Sequence, residues 1–311
     1  MEDYSAESIQ VLGTRDAIRK RPGMYVGSTG PRGLHHLAYE VIDNSVDEAL
    51  AEYCTSIRVE LKDDNRLTVK DNGRGIPVDI HPKYGKPALE IILTTLHAGG
   101  KFEGKVYRVS GGLHGVGMSV VNALSEWIEV EVKRNGKIYR QRYENGLPAT
   151  GIKEVGESEE TGTQITFLPD RSIFGDEKFD YGTLRERLRE IAFLNKGLRI
   201  ELSFNDRKDL FFYPGGIIEF IDYINKDKNP IGKIIYFEES RNDVQLEVAM
   251  QYNGGYSENI YAFVNSINTI EGGTHISGFR SALTRVLNDY GRNGALKNGD
   301  GSLAATMRAK V

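Results

Sequence analysis

The chain has one cysteine, Cys54, in 311 residues. That excludes an internal disulfide framework and a cysteine-rich zinc site, and it fits a reducing compartment. No run of about 18 apolar residues occurs, so no segment reads as a membrane-spanning helix. The first residues, MEDYSAESIQ, have neither the basic start nor the apolar stretch of a secretory signal. Charge of one sign is also lacking. Forty basic residues face 44 acidic ones for a net charge of −4, whereas a protein that grips DNA by bulk charge leans basic. The histidines at 35, 36, 81, 97, 114 and 275 form no H-x-x-x-H or H-E-x-x-H pair, which argues against zinc. The Walker pattern, the kinase signatures and the G-x-S-x-G elbow are missing too.

What is present is a hydrophobic content of 39%, enough for a globular core, in a length that suits two domains. Glycine is abundant, at 35 residues against a typical ~7% of a chain. It clusters at positions 99, 100, 104, 111, 112, 115 and 117. The spacing of Leu34, Leu37, Ala38, Val41, Ile42, Val46, Ala49, Leu50 and Tyr53 predicts one long amphipathic helix. Before it, residues 1–33 read as an extended arm with one short helix. After it, alternating runs predict strands at 57–61, 67–70, 128–132, 138–143, 165–168 and 199–204. Helices are predicted at 88–97, 118–124 and 183–195. Asp209–Gly216 reads as a boundary because Pro-Gly-Gly punctuates it. Beyond it a helix at 217–225, strands near 234–237, 244–252 and 259–268, and a helix at 279–290 are predicted. Asn253-Gly254 suggests a hairpin turn. The pattern is α+β twice, without the strand–helix alternation of a doubly wound fold.

Four short segments could carry chemistry. Glu40, Asn44 and Asp47 share a narrow stripe of the long helix, opposite its apolar side. A solvated face explains that as well as a site does. In a site, a carboxylate and an amide oxygen one turn apart suit a hydrated Mg²⁺ and a general base. Asp71 stands at a strand end before Gly73 and Gly75. It is either ordinary turn chemistry or a buried acceptor that selects an amine donor. Gly112 to Gly117 precede a helix, where free N–H groups attract an anion; alone, a glycine-rich loop is weak evidence. Thr161-Gly162-Thr163 opens a strand, and its hydroxyls could fix a water.

In this order the four segments resemble the ATP site of the GHKL superfamily of type II topoisomerases, repair ATPases, chaperones and histidine kinases. The strings Arg19–Gly27, Gly33–His36, Leu96–Phe102, Ser110–Gly117 and Gly272–His275 are similar to the gyrase B family; the ATPase subunit of topoisomerase IV shares most of them. The resemblance implies a Bergerat-type sandwich, a mixed sheet with helices on one face, and then a smaller α+β transducer of ribosomal-protein-like type. Residues 1–33 would be the arm, 34–213 the ATP-binding domain and 214–311 an incomplete transducer. ATP and Mg²⁺ are the implied cofactors. Glu40 would be the general base, Asn44 the Mg²⁺ ligand, Asp47 a nucleotide-site residue and Asp71 the acceptor from the adenine amine. Arg74, Gly75, Ile76 and Pro77 would line the base pocket, with Arg134 at its mouth and Thr163 near the water on Asp71. Lys101, Tyr107, Gly112, Leu113, His114, Gly115, Val116 and Gly117 would cover the phosphates. Tyr4 and Ile9 would belong to an arm that crosses to a second copy in an ATP-dependent homodimer. The whole protein would pair with the gyrase A subunit and duplex DNA in the cytoplasm. One departure is that Gln10, Gln141, Gln164, Gln245 and Gln251 do not begin the family's Gln-x-Lys loop, and the residues past Leu303 do not match. The alternative expectation is a fragment that binds nucleotide without turnover.

Overall fold

The structure is a computed structural model that describes residues 12–100, 111, 115–242, 244–255 and 257–291. The chain opens with helices α1 (Thr14–Lys20), α2 (Gly23–Val26) and α3 (Pro31–Leu50), then strands β1 (Ser56–Leu61) and β2 (Leu67–Asp71). Helices α4 (Ala88–Thr94) and α5 (Gly117–Ala123) precede β3 (Ser125–Arg134), β4 (Lys137–Glu144), β5 (Leu147–Pro148), β6 (Lys153–Glu157) and β7 (Gly162–Pro169). Helices α6 (Arg171–Phe174) and α7 (Tyr181–Leu194) lead to β8 (Arg199–Phe204) and β9 (Arg207–Phe211). A second unit holds α8 (Ile217–Asn225), β10 (Pro230–Arg241), β11 (Val244–Asn253), the short β12 (Phe263–Val264) and β13 (Ile267–Asn268), and α9 (Thr274–Tyr290).

Among the described residues, nine strands form one sheet in the order β5-β4-β3-β7-β2-β1-β8-β9, with β6 beside β4. The β1–β8 pair is parallel and its other pairings are antiparallel, so the sheet is mixed as expected. Along β1, β2, β3 and β7 buried side chains alternate with more open ones, the pattern of a sheet covered on one face. The cover is α3, α5 and α7. Leu34, Leu37, Ala38, Val41, Ile42 and Val46 of α3 are all buried, and they meet Val59, Val69, Val130, Ile165 and Phe167 in one core. Burying each such side chain stabilises the fold by about 1.5–3 kcal/mol.

Several local expectations are corrected. Residues 14–26 form two helices, with Ile18 and Val26 inside the core. The long helix ends at Leu50, and Tyr53 lies beyond it, exposed. Asp209, Leu210 and Phe211 belong to β9, the sheet's edge strand, so the break falls after them. β10 and β11 pair from Pro230↔Asn253 to Arg241↔Val244. Their connection is therefore at 242–243. Asn253-Gly254 lies at the open end, where Gly254 N–H donates to Lys228 O and Asn229 O. The strand expected at 259–268 is the small β12–β13 hairpin.

The two units meet through aromatic rings. Phe193 of α7 stacks on Tyr213 with centroids 3.7 Å apart and on Phe220 of α8 at 5.1 Å. Lys196, just past α7, bonds Glu247 Oε1 at 2.6 Å and Tyr236 Oη at 2.7 Å in the β10–β11 ribbon. No described helix is long and apolar enough to cross a membrane.

Candidate nucleotide site

α3 and the end of β2 place the site's polar groups. Asp71 is the last residue of β2 and is buried beneath α3. Its Oδ1 accepts from the backbone N–H groups of Gly73 at 2.9 Å and Thr163 at 3.1 Å. Its Oδ2 accepts from the Ser45 hydroxyl at 2.8 Å. A carboxylate has about four acceptor positions, so three internal donors leave room for one more. Burial pushes the Asp71 carboxyl above its ordinary range, against the pull of those three bonds.

The chain following Asp71 is held in a fixed loop. Glu48 on α3 accepts from Arg74 N at 2.9 Å, Nε at 3.1 Å and Nη2 at 2.7 Å. The Arg74 guanidinium stacks over the Tyr53 ring at 3.8 Å. Arg134 Nη1 donates to Gly75 O at 2.8 Å and Arg74 O at 3.3 Å. Thr163 Oγ1 accepts from Ile76 N–H at 3.2 Å. Gly75 has φ +78°, and a Cβ there would stand 2.8 Å from Lys133 O; only glycine suits both demands. Ile76 packs half-buried against the core, and Pro77 is exposed.

On α3, Asn44 Nδ2 donates to Glu40 O at 2.7 Å. Asp47, only 1% exposed, accepts Gly111 N–H on Oδ1 at 2.7 Å. Within the polar stripe of α3, Asp47 is thus buried rather than solvated, while Glu40 and Asn44 are half-buried. Glu40 reaches the start of α5. A Cβ on Gly117, the first residue of that helix, would fall 2.0 Å from Glu40 Oε2. His36 Nδ1 lies 3.7 Å from Glu40 Oε1. Gly115 has φ +60° and its carbonyl accepts Ala98 N–H at 3.2 Å. Val116 precedes α5 and packs against the core.

The structure therefore gathers Glu40, Asn44, Asp47, Asp71, Arg74, Gly75, Ile76, Gly117, Arg134 and Thr163 around α3, the end of β2 and the start of α5. Tyr4, Ile9, Lys101, Tyr107, Gly112, Leu113 and His114 lie outside the described residues. Sequence reasoning missed Ser45 and Glu48. Ser45 sits between Asn44 and Val46 and faces Asp71; a hydroxyl on the buried side of a helix was the available signal.

Residues 29–173 match the family described as histidine kinase-, DNA gyrase B- and HSP90-like ATPases. Residues 29–173 thus fall in the GHKL ATPase class. Residues 216–306 match the DNA gyrase B family. The DNA gyrase B protein of Clostridium acetobutylicum is 56% identical over 308 residues, covering 97% of this chain and 48% of that protein. Its counterpart from Thermotoga maritima is 54% identical over 302 residues, covering 94% and 48%. The 43K ATPase domain of Thermus thermophilus gyrase B, solved in complex with an aminocoumarin, is similar at TM-score 0.82 and 41% identity, covering 93% of this chain and 76% of that one. The chain belongs to the DNA gyrase B family. It spans about half the length of the curated relatives it matches.

Proposed function

We propose that this chain binds and hydrolyses ATP, and that in the whole protein ATP closes a dimer gate during DNA supercoiling. The observation that carries the reading is Asp71, a buried carboxylate with three internal donors and acceptor capacity for one more. An adenine exocyclic amine supplies that donor. Arg74, Gly75, Ile76 and Pro77 line the base on the loop that Glu48 and Arg134 brace.

The donor set also fits Mg²⁺, which keeps most of its waters and takes one or two protein oxygens. The Asn44 amide oxygen would be such a ligand; its Nδ2 donates to the Glu40 carbonyl at 2.7 Å. Bound Mg²⁺ would neutralise charge on the phosphates. Glu40 takes the proton from the attacking water, and Gly117 leaves space for its carboxylate. Lys101, Tyr107 and residues 112–117 would cover the phosphates, with Asp47 beside them. Tyr4 and Ile9 would reach the second copy of an ATP-dependent homodimer. The gyrase A subunit and duplex DNA are the proposed further partners, and the cytoplasm the proposed location. Residues 34–213 serve as the ATP-binding domain and 214–311 as the transducer. ATP shifts the open–closed balance only by binding the closed state more tightly, and hydrolysis then sets how long the gate stays shut.

Calorimetric titration of the 311-residue chain with a non-hydrolysable ATP analogue and Mg²⁺ tests this. Saturable binding between roughly −8 and −4 kcal/mol is expected. A well-folded chain that binds no analogue refutes the proposal. Binding without ATP turnover would leave the narrower reading of a nucleotide-binding fragment.

A further inference from the structure

The pair Val264↔Ile267 closes a two-residue turn made of Asn265 and Ser266. Both have positive φ, 50° and 66°, as in a type I′ hairpin turn. Such turns favour Asn-Gly, because glycine takes the second position without strain. Here serine holds it, against the local preference. Its hydroxyl accounts for the choice. Asn195 Nδ2 donates to Ser266 Oγ at 3.2 Å. Asn195 is buried at the end of α7, where its Nδ2 also donates to Ile191 O at 2.8 Å. The turn belongs to the second unit but is pinned to the first.

The pinned turn lies against Gly111. A Cβ at 111 would stand 3.1 Å from Asn265 O and 3.4 Å from the Ile267 side chain. Gly111 N–H in turn donates to Asp47 Oδ1 at 2.7 Å. A continuous line of contacts thus runs from Asn195 through the Ser266–Asn265 turn and Gly111 to Asp47 on α3.

We propose that the Asn265–Ser266 turn is a positioning element of the nucleotide site. It sets the place of Gly111, and through Gly111 the orientation of Asp47, one turn from Asn44. This rests on the nucleotide-site reading above. Because the turn is part of the second unit, nucleotide affinity and the placement of that unit are linked, and such linkage acts in both directions.

Two substitutions in the 311-residue chain test it. Ser266→Gly removes the hydroxyl and gives the turn its preferred residue, so the hairpin keeps its shape. Gly111→Ala presses on the same contact from the other side. Melting temperature without nucleotide, calorimetric affinity for a non-hydrolysable ATP analogue with Mg²⁺, and the KM and kcat of ATP turnover are measured. Ser266→Gly is expected to melt within about 2 °C of the parent, to bind the analogue about fivefold more weakly, and to raise KM with kcat held. Gly111→Ala is expected to weaken binding as well. The double variant should lose less than the product of the two single losses, because both act at one contact. Parental affinity in Ser266→Gly overturns the proposal, as does a fall in melting temperature large enough to explain the lost affinity. Independent losses in the double variant overturn the shared contact. A parent chain that binds no analogue is a different result, one that removes the nucleotide-site reading itself.

Discussion

In the proposed reading, Asp71 concentrates the recognition chemistry in a single side chain. Replacing it with asparagine keeps the shape but turns one acceptor into a donor, facing either the internal N–H and O–H groups or the ligand amine. Losing a hydrogen bond with a charged partner costs about 1.5–3 kcal/mol. Asp71→Asn should therefore weaken calorimetric ATP-analogue binding at least tenfold while circular dichroism shows a folded chain. Glu40→Gln should leave that binding in place and lower turnover about 10²–10⁴-fold, as read by phosphate release. Gly117→Ala tests the same carboxylate from the other side. Alanine is the better helix former, so α5 persists, but its Cβ displaces Glu40 Oε2 and turnover should fall with the melting temperature held. At this scale spacing was legible beforehand and roles were not. Helical spacing put Glu40, Asn44 and Asp47 on one face, and Asp71 stood between a strand and two glycines. A solvated face and an ordinary turn explained both as well, and only the family resemblance gave these residues roles. Ser45 and Glu48 did not stand out at all, because their partners Asp71 and Arg74 are 26 residues away along the chain. Spacing reveals a shared helix face, not what that face meets.

Elements that hold the site in place have their own tests. Asp170 caps α6, accepting from Ser172 N–H at 2.8 Å and Ser172 Oγ at 2.7 Å, and it pairs with Arg19 of α1. Burial works to raise its pKa, but the bonds from Ser172 and Arg19 outweigh it and hold the carboxyl below its ordinary range. A depressed folded pKa gives stability that is present above the unfolded value of about 3.9 and is lost as pH falls through the folded value. Asp170→Ala should cost about 1–2 kcal/mol at pH 7, and the gap between parent and variant in denaturant melts should narrow as pH falls below the unfolded value. Phe193 joins α7 to α8 through Tyr213 and Phe220. Phe193→Ala should remove about 3–5 kcal/mol and split a single thermal transition into two. The start and end of α8 were legible from its periodicity and the preceding Pro-Gly-Gly. The β10–β11 turn was not. Asn253-Gly254 has good turn chemistry, yet the ladder fixes the connection at the other end of the ribbon, so long-range register overrode the local signal.

For the molecule as a whole, the two units differ in how much they bury. The first has a continuous core, whereas α9 buries no residue and Ile231, Ile235, Leu246 and Tyr252 are exposed. The α+β class was readable from the order of periodic segments; the seam at Phe193 depends on three-dimensional proximity and was not. Removing residues 1–11 spares α1 and should abolish analogue-dependent dimerisation while retaining the monomer, measured by light scattering. Unchanged dimer formation would refute the role given to that segment. The parallel pairing of β1 with β8 joins residues 56–61 to 199–204, and this bears on how the chain is made. On the ribosome, β1 and β2 emerge early, but β1 has no neighbour on its other side until some 140 further residues have been synthesised. Contacts that distant in sequence form slowly. For that interval a bare apolar strand edge must be kept from neighbouring nascent chains, and a ribosome that stalls before β8 leaves it exposed.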